Sequence, residues 1–244
     1  LRHYQSHWRE PLQVTYRGYD IVTMGPPSSG GVALIQMLQA SERKGNRMQR
    51  HGSAAYAHDF TEICRWVYED RALYLGDPSS MKLSTETLLD AGRLQDRFSA
   101  MPRFTSGQSL DLTQLIHEES EETTHLSIVD QQGQAIAIST TLNSSYGSKR
   151  WVAGFILNNE MDDFALAPGQ LNQFGLVGFA VNAVGPGKRM LSSMTPTIAS
   201  QGGHVMVFGT PGGSTIITNV FQVLTNRLRY GMPMDEAVAK KKLH

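Results

Sequence analysis

"HEESEETTHLSIVD", residues 117–130, decides how the chain is read. Its first half is acidic and exposed by composition, and its second half alternates apolar and polar residues as a half-buried strand does. Thr123 and Thr124 sit at the seam. "QAIAIS" at 134–139 repeats the alternation, and "DQQG" between the two runs supplies turn chemistry. Together they read as a β-hairpin with Gly133 in its turn. A threonine pair before a strand is ordinarily β-propensity and nothing more. It becomes chemistry under one condition. A threonine hydroxyl is a weak nucleophile without a base beside it, and a chain that begins at threonine carries that base in its own α-amine. The α-amine, with a pKa of roughly 7.7 to 8.0, accepts a proton near neutral pH without help from histidine. Thr123 gains such an amine only if the Glu122–Thr123 bond is cut, and an exposed acidic stretch is where a cut disturbs least structure.

Working outward, "PPSSGGVALIQMLQ" (26–39) reads as a turn and then a helix. Ser28 or Ser29 is its cap, Leu34, Ile35 and Leu38 share a face, and Gly30 and Gly31 permit close backbone approach. A loop with Arg43, Lys44, Arg47 and Arg50 follows; without interleaved aromatics it reads as solvated surface rather than a single-strand binder. A long helix is expected from about Ser53 to Leu75, stopped by "GDP". Cys64 falls at helical spacing with Phe60, Ile63 and Val67, the pattern of a packed core thiol. Residues 76–122 mix short helices with loop, and 157–191 are loop-rich. "HVMVFG" (204–209) reads as a buried strand, "TPGG" as a tight turn, and "STIITNVFQVLTNRLRYG" (214–231) as a helix. That helix buries Ile217, Val220, Phe221, Leu224 and Leu228, and Gly231 stops it. Hairpin strands plus long helices predict an α+β layered domain.

Composition removes several function classes. Lys+Arg and Asp+Glu both total 22 in 244 residues, so no global charge favours nucleic acid or an anionic membrane. No apolar run approaches the ~18–20 residues that cross a bilayer. One cysteine excludes an internal disulfide and a cysteine-rich zinc site, and the eight histidines form no H-E-x-x-H; His3 and His7 are spaced i, i+4 without a third ligand. No metal or cofactor is expected. A G-x-S-x-G elbow is absent. "GTPGGS" (209–214) sits between strand and helix as a phosphate loop would, but lacks the Walker lysine. Two readings of it stand: a plain strand-to-helix turn, or Gly212 and Gly213 aiming N–H groups at an anion or oxyanion.

The motifs "TTHLSIVD" (123–130), "TTLNSSYG" (140–147), "LNNEMDDF" (157–164), "AVGPGKRMLSSMTPT" (183–197) and "GTPGGS" come in a characteristic order and spacing. In that respect the chain resembles the γ-glutamyltransferases (γ-glutamyltranspeptidases) of the N-terminal nucleophile hydrolases. "YRGYDIVTMGPPSSGG" (16–31) and "DRALYLGDP" (70–78) resemble that family's large subunit. The resemblance implies a four-layer αββα sandwich, of which this chain is part. Residues 1–122 would be the C-terminal part of the large-subunit region and 123–244 the N-terminal part of the small catalytic subunit, interwoven in one domain.

It also implies roles. Thr123 would drive autocatalytic cleavage after Glu122 and then serve as the N-terminal nucleophile, oriented by Thr141. Asn143, Glu160 and Asp163 would hold the α-amino and α-carboxylate ends of a γ-glutamyl group, Ser192 and Ser193 would grip the carboxylate, and Gly212 and Gly213 would form the oxyanion hole. Carboxylates suit an ammonium and hydroxyls suit a carboxylate. The implied donor is glutathione or another γ-glutamyl amide. The acceptor is water, an amino acid or a peptide, the two subunits stay associated, and the setting is periplasmic or secreted. Three departures stand beside this. Phe174 replaces a lid tyrosine that would hydrogen-bond the Asn143 side chain. The arginine that clamps the donor carboxylate is expected in an N-terminal part not contained here, and strands are expected beyond residue 244. The chain is continuous across Glu122 and Thr123 and begins with Leu1, as a precursor or an excised piece would. His125 is read as a strand residue, Asp162 as structural, and Lys188 and Arg189 as solvating a loop. A cephalosporin (β-lactam) acylase, a poly-γ-glutamate-acting relative and a non-catalytic relative remain open.

Overall fold

A computed structural model describes residues 4–43, 50–99, 123–172 and 176–244. Glu122, the acidic stretch before it, Phe174, Lys44, Arg47 and His3 lie outside the described residues. Strand β1 (Leu12–Tyr16) turns through Gly18 into β2 (Tyr19–Thr23). Helices α1 (Gly30–Arg43) and α2 (Ala54–Tyr74) follow, then the short α3 (Thr85–Leu88) and α4 (Ala91–Ser99). The hairpin β3 (Thr123–Val129) and β4 (Ala135–Thr141) comes next. Two-residue strands β5 (Trp151–Val152), β6 (Phe155–Ile156), β7 (Gln170–Leu171) and β8 (Val177–Gly178) punctuate the loop-rich region. The chain then forms β9 (Thr197–Gln201), β10 (His204–Phe208), α5 (Ile216–Leu228) and α6 (Met234–Ala239).

One antiparallel sheet has the order β1-β2-β9-β10, so each side of the Glu122–Thr123 bond contributes two of its strands. Thr23 pairs with Thr197 and Ile21 with Ala199 across that seam. The row Val14, Ile21, Ala199, Met206 runs across all four strands. It packs into a core with Leu34, Met37 and Leu38 of α1, Phe60, Ile63 and Val67 of α2, and Ile217, Val220, Phe221 and Leu224 of α5. The hairpin β3–β4 packs against β9 and β10. Its alternate positions Leu126, Ile128, Ile136 and Ile138 are 43–50% exposed, an apolar face of the kind a further layer covers.

Most sequence expectations hold. Ser53 caps α2 through the Tyr56 N–H, as its composition predicts. Cys64 lies against the core, where burial pushes its thiol up to about 12. Gly133 takes φ +82° in the hairpin turn and Gly231 takes φ +69° after α5. Three expectations need correction. "HVMVFG" is not a buried strand: β10 is the sheet edge, and of its residues only Phe208 is fully buried. The helix expected from Ser214 begins at Ile216, because Gly213–Thr215 wind into a 3-10 turn. Lys188 and Arg189 do more than solvate a loop. Lys188 Nζ donates to the Val181 and Ala183 carbonyls, the Arg189 N–H donates to Asp77 Oδ2, and the Arg189 guanidinium donates to Tyr4 and Gln5.

Candidate active site

Thr123 is the first described residue of β3, and hairpin register places it opposite Thr141, the last residue of β4. Thr141 Oγ1 accepts the Asn143 N–H at 2.8 Å, which fixes its side chain at the end of the strand. The chain turns there because Asn143 adopts φ +77°, a left-handed conformation that asparagine tolerates better than most residues. Asn143 is buried, and its side-chain amide donates to the Asn159 carbonyl. Asn159 braces the neighbouring loop in turn: its Oδ1 accepts the Ser144 N–H and its Nδ2 donates to Asp162 Oδ2. Asp162 is therefore a loop brace, as expected.

That brace presents a 3-10 turn over Glu160–Asp163. Glu160 and Asp163 share a side-chain hydrogen bond, and two acids in contact with little water cannot both ionise freely. Burial first, then the negative charge of Asp163, push Glu160 up to about 8. Burial also raises Asp163, to about 6, against the pull of its bond to Glu160 and of the Arg71 guanidinium. Glu160 Oε1 is buried without a hydrogen-bond partner among the described residues. A buried acceptor of that kind is costly unless a donor arrives.

The opposite wall is built by the first half of the chain. Ser29 Oγ and the Ser29 N–H both donate to the Ser192 carbonyl at 2.8 Å, and the Ser192 N–H donates to the Pro27 carbonyl. Ser28 Oγ donates to the Met194 carbonyl at 2.6 Å while accepting the Gly30 N–H. The two serines expected as alternative helix caps thus also dock the 192–194 segment. Gly30 is required where it stands, since a Cβ there would meet Thr195 Oγ1 at 2.3 Å.

The glycine turn forms the third wall. Gly212 takes φ +128° and Gly213 φ +52°, conformations that disfavour any side chain. The Gly212 carbonyl accepts from the Thr215 N–H and hydroxyl, and the Tyr68 hydroxyl of α2 donates to the Ser214 carbonyl at 2.7 Å. Among the described residues neither glycine N–H donates a hydrogen bond, which leaves both available. His125 is a strand residue as read, but not an idle one. Its ring nitrogens bond the Ser139 and Ser127 hydroxyls, and the ring lies so close to Gly209 that a Cβ there would overlap it. Burial holds its pKa below the usual histidine value.

These walls close on one cleft lined by Thr123, Thr141, Asn143, Asp163, Ser192, Ser193 and Gly213. Seven of the expected site residues meet there; Glu160 is not in the lining but is hydrogen-bonded to Asp163, and Gly212 precedes Gly213 in the chain. The lining also includes Arg71, which sequence reasoning passed over.

The profile of the gamma-glutamyltranspeptidase family matches residues 1–244, the whole chain. The chain belongs to the γ-glutamyltranspeptidase family. It is 43% identical over 254 aligned residues to a glutathione hydrolase proenzyme of Pseudomonas aeruginosa, covering all of this chain and 44% of that one. It is 39% identical to the glutathione hydrolase proenzyme of Escherichia coli K12, again over all of this chain and 43% of the relative. The chain thus spans less than half the length of these curated relatives. Among solved structures, a cephalosporin acylase from Bacillus halodurans superposes with a TM-score of 0.73 at 22% identity, covering 94% of this chain and 39% of that one. This likeness shows a shared fold, and the mixed helix and sheet described above agrees with it.

Proposed function

We propose that the complete protein cuts its own Glu122–Thr123 bond and then hydrolyses or transfers the γ-glutamyl group of glutathione and related γ-glutamyl amides. One observation carries this reading: Thr123 shares a cleft with the Ser192 and Ser193 hydroxyls, with Gly213 and with Asp163, to which Glu160 is hydrogen-bonded. In the continuous chain the Thr123 nitrogen is an amide and cannot be a base. Cleavage converts it to an α-amine, the base a threonine hydroxyl needs.

The geometry then supports the following sequence. Thr123 Oγ attacks the γ-amide carbonyl carbon while the α-amine takes the hydroxyl proton. The oxyanion forms opposite the Gly212 and Gly213 N–H groups. The C–N bond breaks as the proton passes to the leaving amine, which leaves a γ-glutamyl ester on Thr123. Water, an amino acid or a peptide attacks the ester and regenerates the hydroxyl. Ser192 and Ser193 meet the donor's α-carboxylate and the Glu160–Asp163 pair meets its ammonium. A glutaryl donor has no ammonium to place there, which favours the γ-glutamyl reading over the acylase one. The residues up to 122 and those from 123 remain associated through their shared sheet. We propose a periplasmic or secreted setting, in keeping with the resemblance.

Incubation of the complete protein followed by denaturing electrophoresis should show two chains whose cut lies before Thr123, with Thr123→Ala staying whole. Comparing γ-glutamyl and glutaryl anilides then tests the donor. Preference for the glutaryl compound would replace this reading with an acylase, and absence of both cleavage and turnover would make the protein a non-catalytic relative.

A further inference from the structure

We infer that Arg71 is a positioning residue that sets the polarity of the carboxylate-binding corner, acting through Ser193. This deepens the γ-glutamyl reading and rests on it. Arg71 lies in the last turn of α2 and is only 4% exposed. Its Nε donates to Ser29 Oγ at 3.0 Å and its Nη2 to Ser193 Oγ at 3.2 Å. It forms no ion pair among the described residues. The neighbouring carboxylate, Asp70, is taken up by Arg93 and Arg97 at 2.8 and 2.9 Å. Asp163 attracts Arg71 without contacting it and is engaged with Glu160.

Two consequences follow from elementary chemistry. A hydroxyl carries one donor and two acceptor sites, while a guanidinium only donates. With Arg71 occupying an acceptor site of Ser193, that serine's own proton is left for another acceptor. Ser29 is held in the same way and spends its proton on the Ser192 carbonyl, fixing the partner serine. The second consequence is electrostatic. A buried guanidinium without a contacting anion is expensive, and an arriving carboxylate relieves that cost. The corner therefore favours an anionic group at the donor's α-carbon, and Arg71 adds positive charge behind the two neutral serines, beside the clamping arginine that the resemblance places in the part not contained here.

The test uses the complete, matured protein and the pair Arg71→Lys and Arg71→Met. Each is first shown by electrophoresis to cleave before Thr123, which establishes that it has folded. The readout is the ratio of kcat/KM for a γ-glutamyl anilide to that for the γ-aminobutyryl anilide, which lacks the α-carboxylate. The ratio should fall by about ten- to a hundredfold in Arg71→Met, the scale of a hydrogen bond to a charged group, through KM more than kcat. Arg71→Lys should recover part of it. In a Ser193→Ala background the Arg71→Lys change should cost less than about twofold, because neighbours acting as one unit are not additive. If both donors lose equally, or the Arg71 and Ser193 losses add, Arg71 is a scaffold residue and the inference is overturned. A variant that fails to mature is replaced by the Ser193 cycle with Arg71→Lys alone, judged by the same additivity. Failure of the unaltered protein to use γ-glutamyl anilide would instead sink the underlying reading.

Discussion

The two corners of the cleft that flank Thr123 are built on opposite principles. The Ser192–Ser193 corner is neutral at its surface and anchored by long-range contacts: Ser28, Ser29 and Arg71, more than a hundred residues away in the chain, hold it by hydrogen bonds. The Glu160–Asp163 corner is acidic, hangs on a loop, and is held largely by local bonds from Asn143, Asn159 and Asn182. The first is positioned by tertiary structure, with the buried Arg71 guanidinium bonded behind its hydroxyls. The second is electrostatically poised, with two acids pressed together until they hold a proton above the usual carboxylate range. The difference teaches that one corner is expected to report mutations through geometry and the other through pH.

The largest effect removes what both corners serve. Thr123→Ala should abolish cleavage and lower turnover by at least about a thousandfold, as loss of a nucleophile does in other acyl-transfer enzymes; gel and rate assays check both. Next, Asp163→Asn should raise KM for a γ-glutamyl donor by about a hundredfold, because a buried charge facing an ammonium is lost. Ser193→Ala, which removes one hydroxyl, should raise it by about tenfold. Equal effects would erase the contrast between the corners.

The pH profile sharpens it further. Glu160 and Asp163 must be ionised to meet an ammonium, and their pKa values lie at about 8 and about 6. In the unaltered protein kcat/KM should therefore climb as pH rises through that window, and Glu160→Gln should remove the upper step. Stability runs the other way. Both groups are raised above their unfolded values, so the folded chain holds more protons than the unfolded one between about pH 4 and 8 and their contribution falls as pH rises. The smallest effect belongs to the glycine wall: Tyr68→Phe deletes the bond to the Ser214 carbonyl and should cost about 1 kcal/mol, or roughly 2–4 °C in Tm.

Much of this was legible from local pattern. The alternation on either side of "DQQG" prescribes β3 and β4, and an exact hairpin register follows that sets Thr123 against Thr141. The spacing of Ile217, Val220, Phe221 and Leu224 prescribes the buried face of α5. What local pattern could not show is how distant segments meet. The docking of Ser28 and Ser29 onto Ser192 is a long-range event, and β10 reads as buried from its composition although it is a sheet edge. Arg71 had a signal that passed unused. It continues the stripe Phe60, Ile63, Val67 at helical spacing, so a charge falls where a core residue is due. A cation on a buried stripe needs a partner, and that partner is the site.

The central claim is that the base for Thr123 is created by cutting the chain in front of it. The direct measurement follows maturation of the complete protein over time, pairing N-terminal sequencing with γ-glutamyl anilide turnover on the same samples. Turnover should rise in proportion to the fraction of molecules that begin with Thr123. Full turnover while Thr123 is still in peptide linkage to Glu122 would contradict the account.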